Sequence, residues 1–320
     1  MTVDLRQLRY FVVVAEEKHI TRAAERLGMQ QPPLSQRIKA IERELGVQLF
    51  HRKARGVELT DAGRVLYTHA CAMMAQFEQA IEATRRAARG EQGRLCVGVT
   101  PSSPFHPFVP ETIRAFRQTY PLVTVTLDER HSDELIEHLR TGRVDVGLIR
   151  TPPPDQQGLI ISPLLDEELV VALPKDHALA RARVSNGEAG RLPLKSLANE
   201  TFLIQGSQNG LGLFASTIAA CHEVGFNPRI SQEAPRLAST LNMVAVGMGV
   251  SIVPASLQRM QVDGVVYRRL NKSPLLTAPL LLATRRGDPS AVVRNFLALT
   301  KERKKTVHAR RATNSAGAFS

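Results

Sequence analysis

Gln31, Ser35 and Gln36 fall within six residues, Lys39 follows, and a basic run of His51, Arg52, Lys53 and Arg55 comes next. Amide and hydroxyl side chains both donate and accept hydrogen bonds, which suits the mixed donor and acceptor edges of bases in a major groove. Cations carry no base information but attract phosphates or reach a minor groove. Such groups are useful only on an element that shows them and buries the rest. The segment QPPLSQRIKAIERELG predicts that element as a helix whose prolines sit in the first turn, where a missing N–H is harmless. Leu34, Ile38, Ile41 and Leu45 recur at spacings of 4, 3 and 4, one helical face. At about 100° per residue, Pro32, Gln36, Lys39 and Arg43 then point away from the core, with Gln31 and Ser35 on the flank and Arg37 nearer the buried side.

The neighbouring segments complete a small domain over residues 1–60. HITRAAERLG predicts a short helix, with Thr21 as its N-cap, Gly28 as its stop, and Ala23 and Ala24 small enough for a close crossing. Asp4 with Gln7 has capping-box spacing for an earlier helix, whose apolar face is Leu5, Leu8, Phe11, Val12 and Ala15. LFHRKARGVELT alternates about a glycine, as a two-stranded wing with a basic tip does. A surface hairpin with a basic loop is the plain alternative; the order helix, turn, proline-opened helix, basic wing favours a winged helix-turn-helix. The expected DNA contacts are Thr21, Gln31, Pro32, Ser35, Gln36, Lys39, Arg52, Lys53 and Arg55.

Charge supports that reading once it is divided. Residues 1–60 hold 11 lysines and arginines against 7 acids, residues 95–300 hold 20 against 18, and residues 301–320 hold 6 against 1. The excess sits at the ends, which fits a polyanion partner for the N-terminal domain. The final stretch 301–320 is polar, basic and aperiodic, and is expected to be disordered. Cys71, Cys96 and Cys221 are scattered, with no CxxC pair and no histidine at metal spacing, so neither a disulfide framework nor a metal is expected. No signal segment or apolar span is read, and a soluble, cytoplasmic protein without membrane attachment is expected.

Thr60 is placed to cap a long helix to about Ala88, within a linker over 61–90. Leu66, Ala70, Met73, Phe77, Ala80, Thr84 and Ala87 alternate at 4 and 3 along it. A seam on a lone rod has nothing to bury against, so pairing with a second copy is expected. From Leu95 the pattern becomes alternating strands and helices, the signature of an α/β fold with parallel strands. Two sets of such units, joined near Pro163–Glu167 and again near Val265–Arg269, predict a two-lobe domain over 91–300. Its first lobe would be 91–163 with 268–300, its second 164–267, and the cleft between them would close on a ligand.

HITRAAERLGMQQPPLSQRIKAIERELGVQLFHRKARGVELTDAG resembles the winged helix-turn-helix of LysR-type transcriptional regulators, and TGRVDVGLI and VAVGMGVSIVPAS extend the resemblance across residues 4–300. RYFVVVAEE, QPPLS and GVSIVPAS are similar to members that govern benzoate and catechol degradation and sense muconate. The resemblance implies a homotetramer, built as a dimer of dimers, on a partly palindromic promoter site. It implies a small-molecule inducer in the interlobe cleft; a ligand-responsive activator or repressor is expected, with a carboxylate as inducer and RNA polymerase as a partner. Most members follow the serine at position 35 with arginine; here the order is Gln36 then Arg37, which marks a variant base reader.

Ligands of parallel sheets sit beyond the carboxyl ends of strands, against helix N-termini. Those places hold Thr100, Ser102 and Ser103 after the first strand, Ser132 after the next, Arg150 after the third, and Gln205 at the end of TFLIQ with Gly206, Leu211 and Gly212 after it. Hydroxyls, free amides and a guanidinium together suit a carboxylate; helix capping is the plainer use of the serines. The resemblance also implies inducer contact through a serine at position 102 or 103 and the hydroxyl of Ser132. Gly210-x-Gly212-x-x-Ala215 with Glu233 matches a dinucleotide fingerprint weakly and in the wrong lobe, and no GxSxG, HExxH or P-loop is present. The expectation is therefore a non-enzyme with no cofactor. A solute-binding protein is the alternative for the two-lobe part alone.

Overall fold

The computed structural model describes residues 3–181, 190–205, 213–234, 236–287 and 290–316. The chain divides into two units, residues 1–86 and 87–320.

The first unit begins with α1 (Leu5–Glu17), α2 (Ile20–Arg26) and α3 (Gln31–Leu45), followed by the hairpin β1 (Phe50–Lys53) and β2 (Gly56–Leu59) and by α4 (Asp61–Ala88). The capping box forms: the Gln7 N–H donates to Asp4 Oδ1 at 2.7 Å and the Asp4 N–H donates to Gln7 Oε1 at 3.1 Å. Phe11, Ala23, Leu34 and Ile41 are fully buried together, and Phe11 packs against Phe50 with ring centroids 5.3 Å apart. Leu5 and Leu45, expected on buried faces, lie at helix ends and are 38% and 40% exposed. Thr21 is not the cap of α2. His19 holds that position in extended backbone, without a side-chain cap bond, because Lys18 turns the chain in a left-handed conformation (φ 52°) and the helix starts two residues early. Thr60 does cap α4: its Oγ1 accepts from the Gly63 N–H at 2.9 Å.

Along α4, Ala70 is buried and Leu66 packs into the core of its own unit, so the front of the expected seam is already covered. Met73, Phe77 and Ile81 further along are exposed by 51%, 50% and 38%. Among the described residues no helix is long and apolar enough to cross a membrane.

The second unit runs β3 (Gln92–Val99), α5 (Phe108–Thr119), β4 (Leu122–Glu129), α6 (Ser132–Arg140), β5 (Val146–Ile149), β6 (Leu159–Pro174), α7 (Ala178–Arg181), β7 (Thr201–Gln205), α8 (Leu213–Glu223), β8 (Arg229–Ala234), α9 (Leu237–Ala245), β9 (Ser251–Pro254), β10 (Val265–Arg269), β11 (Thr277–Arg285) and α10 (Ala291–Ala316). LKSLAN forms a single 3-10 turn at Leu194–Leu197. β3 pairs in parallel with β4 and β5, as the βαβ alternation predicts, and β7 pairs in parallel with β8. The long β6 is antiparallel to everything it meets. Its first half pairs with β11, its second half with β9 and β10. Leu164 is an extra residue opposite Leu280 and Leu281, beside Pro163, which has no N–H to give.

The first crossing between lobes, near Pro163–Glu167, is the middle of one 16-residue strand. The second lies beyond Val265–Arg269, because those residues pair with Val170–Pro174 and extend the second lobe before β11 returns to the first.

The expected disordered tail is also corrected, since α10 continues as helix through Ala316. Val292, Val293 and Phe296 anchor it in the first-lobe core, with Phe296 edge-on to Phe116 at 5.2 Å. The next turns are held by an Arg303–Glu111 ion pair at 2.8 Å and by Lys304 Nζ donating to the Pro163 carbonyl at 2.6 Å. Basic residues and alanines are good helix formers, so a packed start propagates.

Candidate nucleic-acid interface and ligand cleft

α3 buries Leu34, Ile38 and Ile41 and leaves Gln31, Pro32, Gln36 and Lys39 exposed, with Ser35 half-buried at the edge. Arg37 is exposed too, contrary to its expected place at the core flank. Its Cα lies on that flank, but a long stem carries the guanidinium out to water. Gln36 and Arg37 are therefore both presented.

The wing is fixed to the helices by backbone. The Val57 N–H donates to the Lys18 carbonyl at 2.9 Å, and a Cβ at Gly56 (φ +122°) would collide with that same carbonyl. Glu42 of α3 accepts the N–H groups of Leu49 and Phe50 at 2.9 and 3.3 Å, a clamp that no sequence motif announced. Arg52, Lys53 and Arg55 are exposed at the wing. Lys53 is paired with Glu58 across the hairpin at 3.2 Å, and that hydrogen bond holds the Glu58 carboxyl below its ordinary value. Thr21 is exposed on the first turn of α2.

A cavity of about 670 Å³ opens between the two lobes of the second unit. Because β3, β4 and β5 run parallel, their carboxyl ends meet at one edge. Thr100, Ser102, Ser132 and Arg150 converge there, and all four line the cavity. Ser103 does not join them. It is fully buried at the start of a 3-10 turn, where its hydroxyl donates to the Thr100 carbonyl at 3.1 Å. Gln205 ends β7; Gly206, Leu211 and Gly212 lie outside the described residues.

Arg150 is not a free cation. It is 4% exposed, donates to Glu167 Oε2 at 2.7 Å and to the Ala278 carbonyl at 3.0 Å, while Glu167 Oε1 accepts the Ser256 N–H. Burial pushes the guanidinium down from its ordinary value and Glu167 pulls it partly back. Two polar atoms of this wall have no partner among the described residues: Thr100 Oγ1 and Arg150 Nε.

The opposite wall comes from β7, α8, α9 and β9 and includes Phe202, Phe214, Leu237, Ile252 and Val253. Sequence reasoning missed it, because apolar residues of a strand or helix look alike whether they face a core or a cleft. The Pro152–Pro154 run after β5, which also lines the cavity, was detectable as an unusual strand exit.

A helix-turn-helix with a wing in one unit and a two-lobe ligand cleft in the other define a ligand-responsive DNA-binding regulator. Two family patterns match this chain: the bacterial regulatory helix-turn-helix of the lysR family over residues 5–64, and the LysR substrate binding domain over 88–305. The chain belongs to the LysR family of transcriptional regulators, which bind DNA and respond through an effector-binding domain, and it is not an enzyme. It is 35% identical to the HTH-type transcriptional regulator AlsR of Bacillus subtilis over 92% of this chain and 94% of that protein. It is 36% identical to the regulator CatR of Pseudomonas putida over 93% and 98% respectively. Among solved structures, CbnR, a LysR family transcriptional regulator, superposes with a TM-score of 0.82 at 26% identity, covering 93% of this chain and all of that one.

Proposed function

We propose that residues 1–60 read a partly palindromic promoter site and that a carboxylate inducer in the interlobe cleft of residues 91–300 controls activation there. Gln31, Pro32, Ser35 and Gln36 meet base edges, flanked by Thr21, while Lys39, Arg52, Lys53 and Arg55 lie along phosphates. Thr100, Ser102 and Ser132 receive the inducer, with Arg150 behind them. Ser103 shapes the turn, and Gln205 at the end of β7, with Gly206, Leu211 and Gly212 following it in sequence, completes the proposed effector set. The linker helix over 61–90 pairs two copies through Met73, Phe77 and Ile81, and two such pairs make the promoter-bound dimer of dimers that contacts RNA polymerase. Such a role belongs in the cytoplasm.

The observation that carries this reading is a cavity of ligand size whose wall holds a buried hydroxyl and a guanidinium N–H without partners, in a chain that also exposes a Gln- and Ser-bearing helix face. The inducer must favour one lobe arrangement, since equal affinity for both shifts nothing.

The test is a gel shift on the chain's own promoter fragment over a range of salt. Ser35→Ala should weaken specific binding by about 1–3 kcal/mol. Arg52→Ala should weaken specific and random DNA alike and lower the salt slope by about one. Operator affinity unchanged in both variants would remove α3 and the wing from the interface.

A further inference from the structure

The two cleft walls differ in what their polar atoms are free to do. On the second wall, Thr217 donates to the Leu213 carbonyl at 2.8 Å, Thr240 to the Arg236 carbonyl at 3.2 Å, and Ser251 to the Leu203 carbonyl at 2.8 Å. Those hydroxyl protons are committed to backbone. No charged residue lines that wall among the described residues, and residues 206–212 contain no lysine or arginine. A ligand meets Phe202, Ile204, Phe214, Leu237, Ile252 and Val253 there.

The first wall is the reverse. Thr100 and Arg150 are each 4% exposed and keep Oγ1 and Nε without partners. Ser132 Oγ accepts the Arg150 backbone N–H at 3.4 Å, which leaves its own proton to donate. The positive end of α6 starts at the same place. Asp133, Glu134 and Glu137 of α6 and Asp155 also line the cavity, and Arg140 is engaged by Glu137 at 2.8 Å and Asp155 at 3.6 Å.

We infer that the cleft takes a monocarboxylate with a bulky apolar body, and that it rejects a ligand carrying a second carboxylate at the far end. The carboxylate rests on Thr100, Ser132 and the Arg150 Nε–H, and the body covers the Phe202–Phe214 wall. A second carboxylate at the far end would meet the apolar Phe202–Phe214 surface, where a charge loses its hydration without a partner. The volume suits a ring with a short chain, not a bare acid of two or three carbons. This inference rests on the cleft being the inducer site.

A matched series tests both. Calorimetry on the full chain uses 3-phenylpropanoate, its amide, and 1,4-phenylenedipropanoate, which keeps the ring and adds a second acid. The monocarboxylate should bind, and the amide and the diacid should each bind at least about tenfold more weakly. Thr100→Val and Phe214→Ala should each weaken the monocarboxylate, and Thr100→Ser should restore it. No binding of the monocarboxylate, or equal or tighter binding of the amide or diacid, overturns the ligand class. If the diacid binds best and Thr100→Val abolishes it, the class falls while the cleft stands. If monocarboxylate binding ignores both Thr100→Val and Phe214→Ala, the cleft assignment itself falls.

Discussion

Arg150 illustrates how far residue-level reasoning reaches. Its place at the carboxyl end of a parallel strand was legible, and so was its approach to the cleft. Its pairing with Glu167 was not, because that contact joins residues 17 apart through the pairing of β5, β11 and β6. Ser102 and Ser103 show a finer limit. Both were candidates from position alone, and a 3-10 turn sends one hydroxyl inward to the Thr100 carbonyl. Cys221 follows composition more simply: it is fully buried, and burial pushes its thiol up to about 11. The thiolate therefore forms at lower pH in the unfolded chain than in the folded one. Stability present below the ordinary thiol value, about 8.5, should fall as pH rises toward that raised value. Urea midpoints at about pH 8 and about pH 10.5 should differ more in the parent than in Cys221→Ala. An equal drop in both proteins would show that Cys221 ionises alike in the two states.

At the scale of elements, the N-terminal unit was nearly transparent. Its signals are local: a capping box, a proline-opened helix, 3.6-residue periodicity and a glycine-centred hairpin. β6 was opaque for the opposite reason. Pro163 looks like a break, yet it sits at a bulge where the missing N–H goes unneeded, and the strand continues through both lobes. The start of α10 hides its length similarly, since aperiodic charge follows an apolar anchor. α4 lies between these cases. Its heptad spacing was visible, but only the structure separates Leu66 and Ala70, covered by their own unit, from Met73, Phe77 and Ile81, which are not. If that exposed stripe pairs two copies, Phe77→Glu should convert the dimer to monomer in sedimentation at micromolar concentration, while leaving the far-ultraviolet spectrum unchanged. An unaltered oligomer would place the pairing surface elsewhere.

The whole molecule distributes its tasks along the chain. The basic excess lies in the N-terminal unit and the last helix, and the ligand-sized cleft lies in a nearly neutral region. Within the second unit, the lobes are joined by a continuous strand and by a buried contact that runs from Arg150 through Glu167 to the Ser256 N–H after β9. A buried ion pair is costly to break one partner at a time, so this junction favours discrete lobe arrangements over a continuum. Two arrangements of unequal ligand affinity are what a switch requires. The most direct test is a footprint on the chain's own promoter, with and without a carboxylate shown by calorimetry to bind. The ligand should change the extent or spacing of protection in the parent protein and leave the pattern unchanged in Thr100→Val. A footprint that stays the same in the parent at saturating ligand would contradict control of promoter DNA from the cleft.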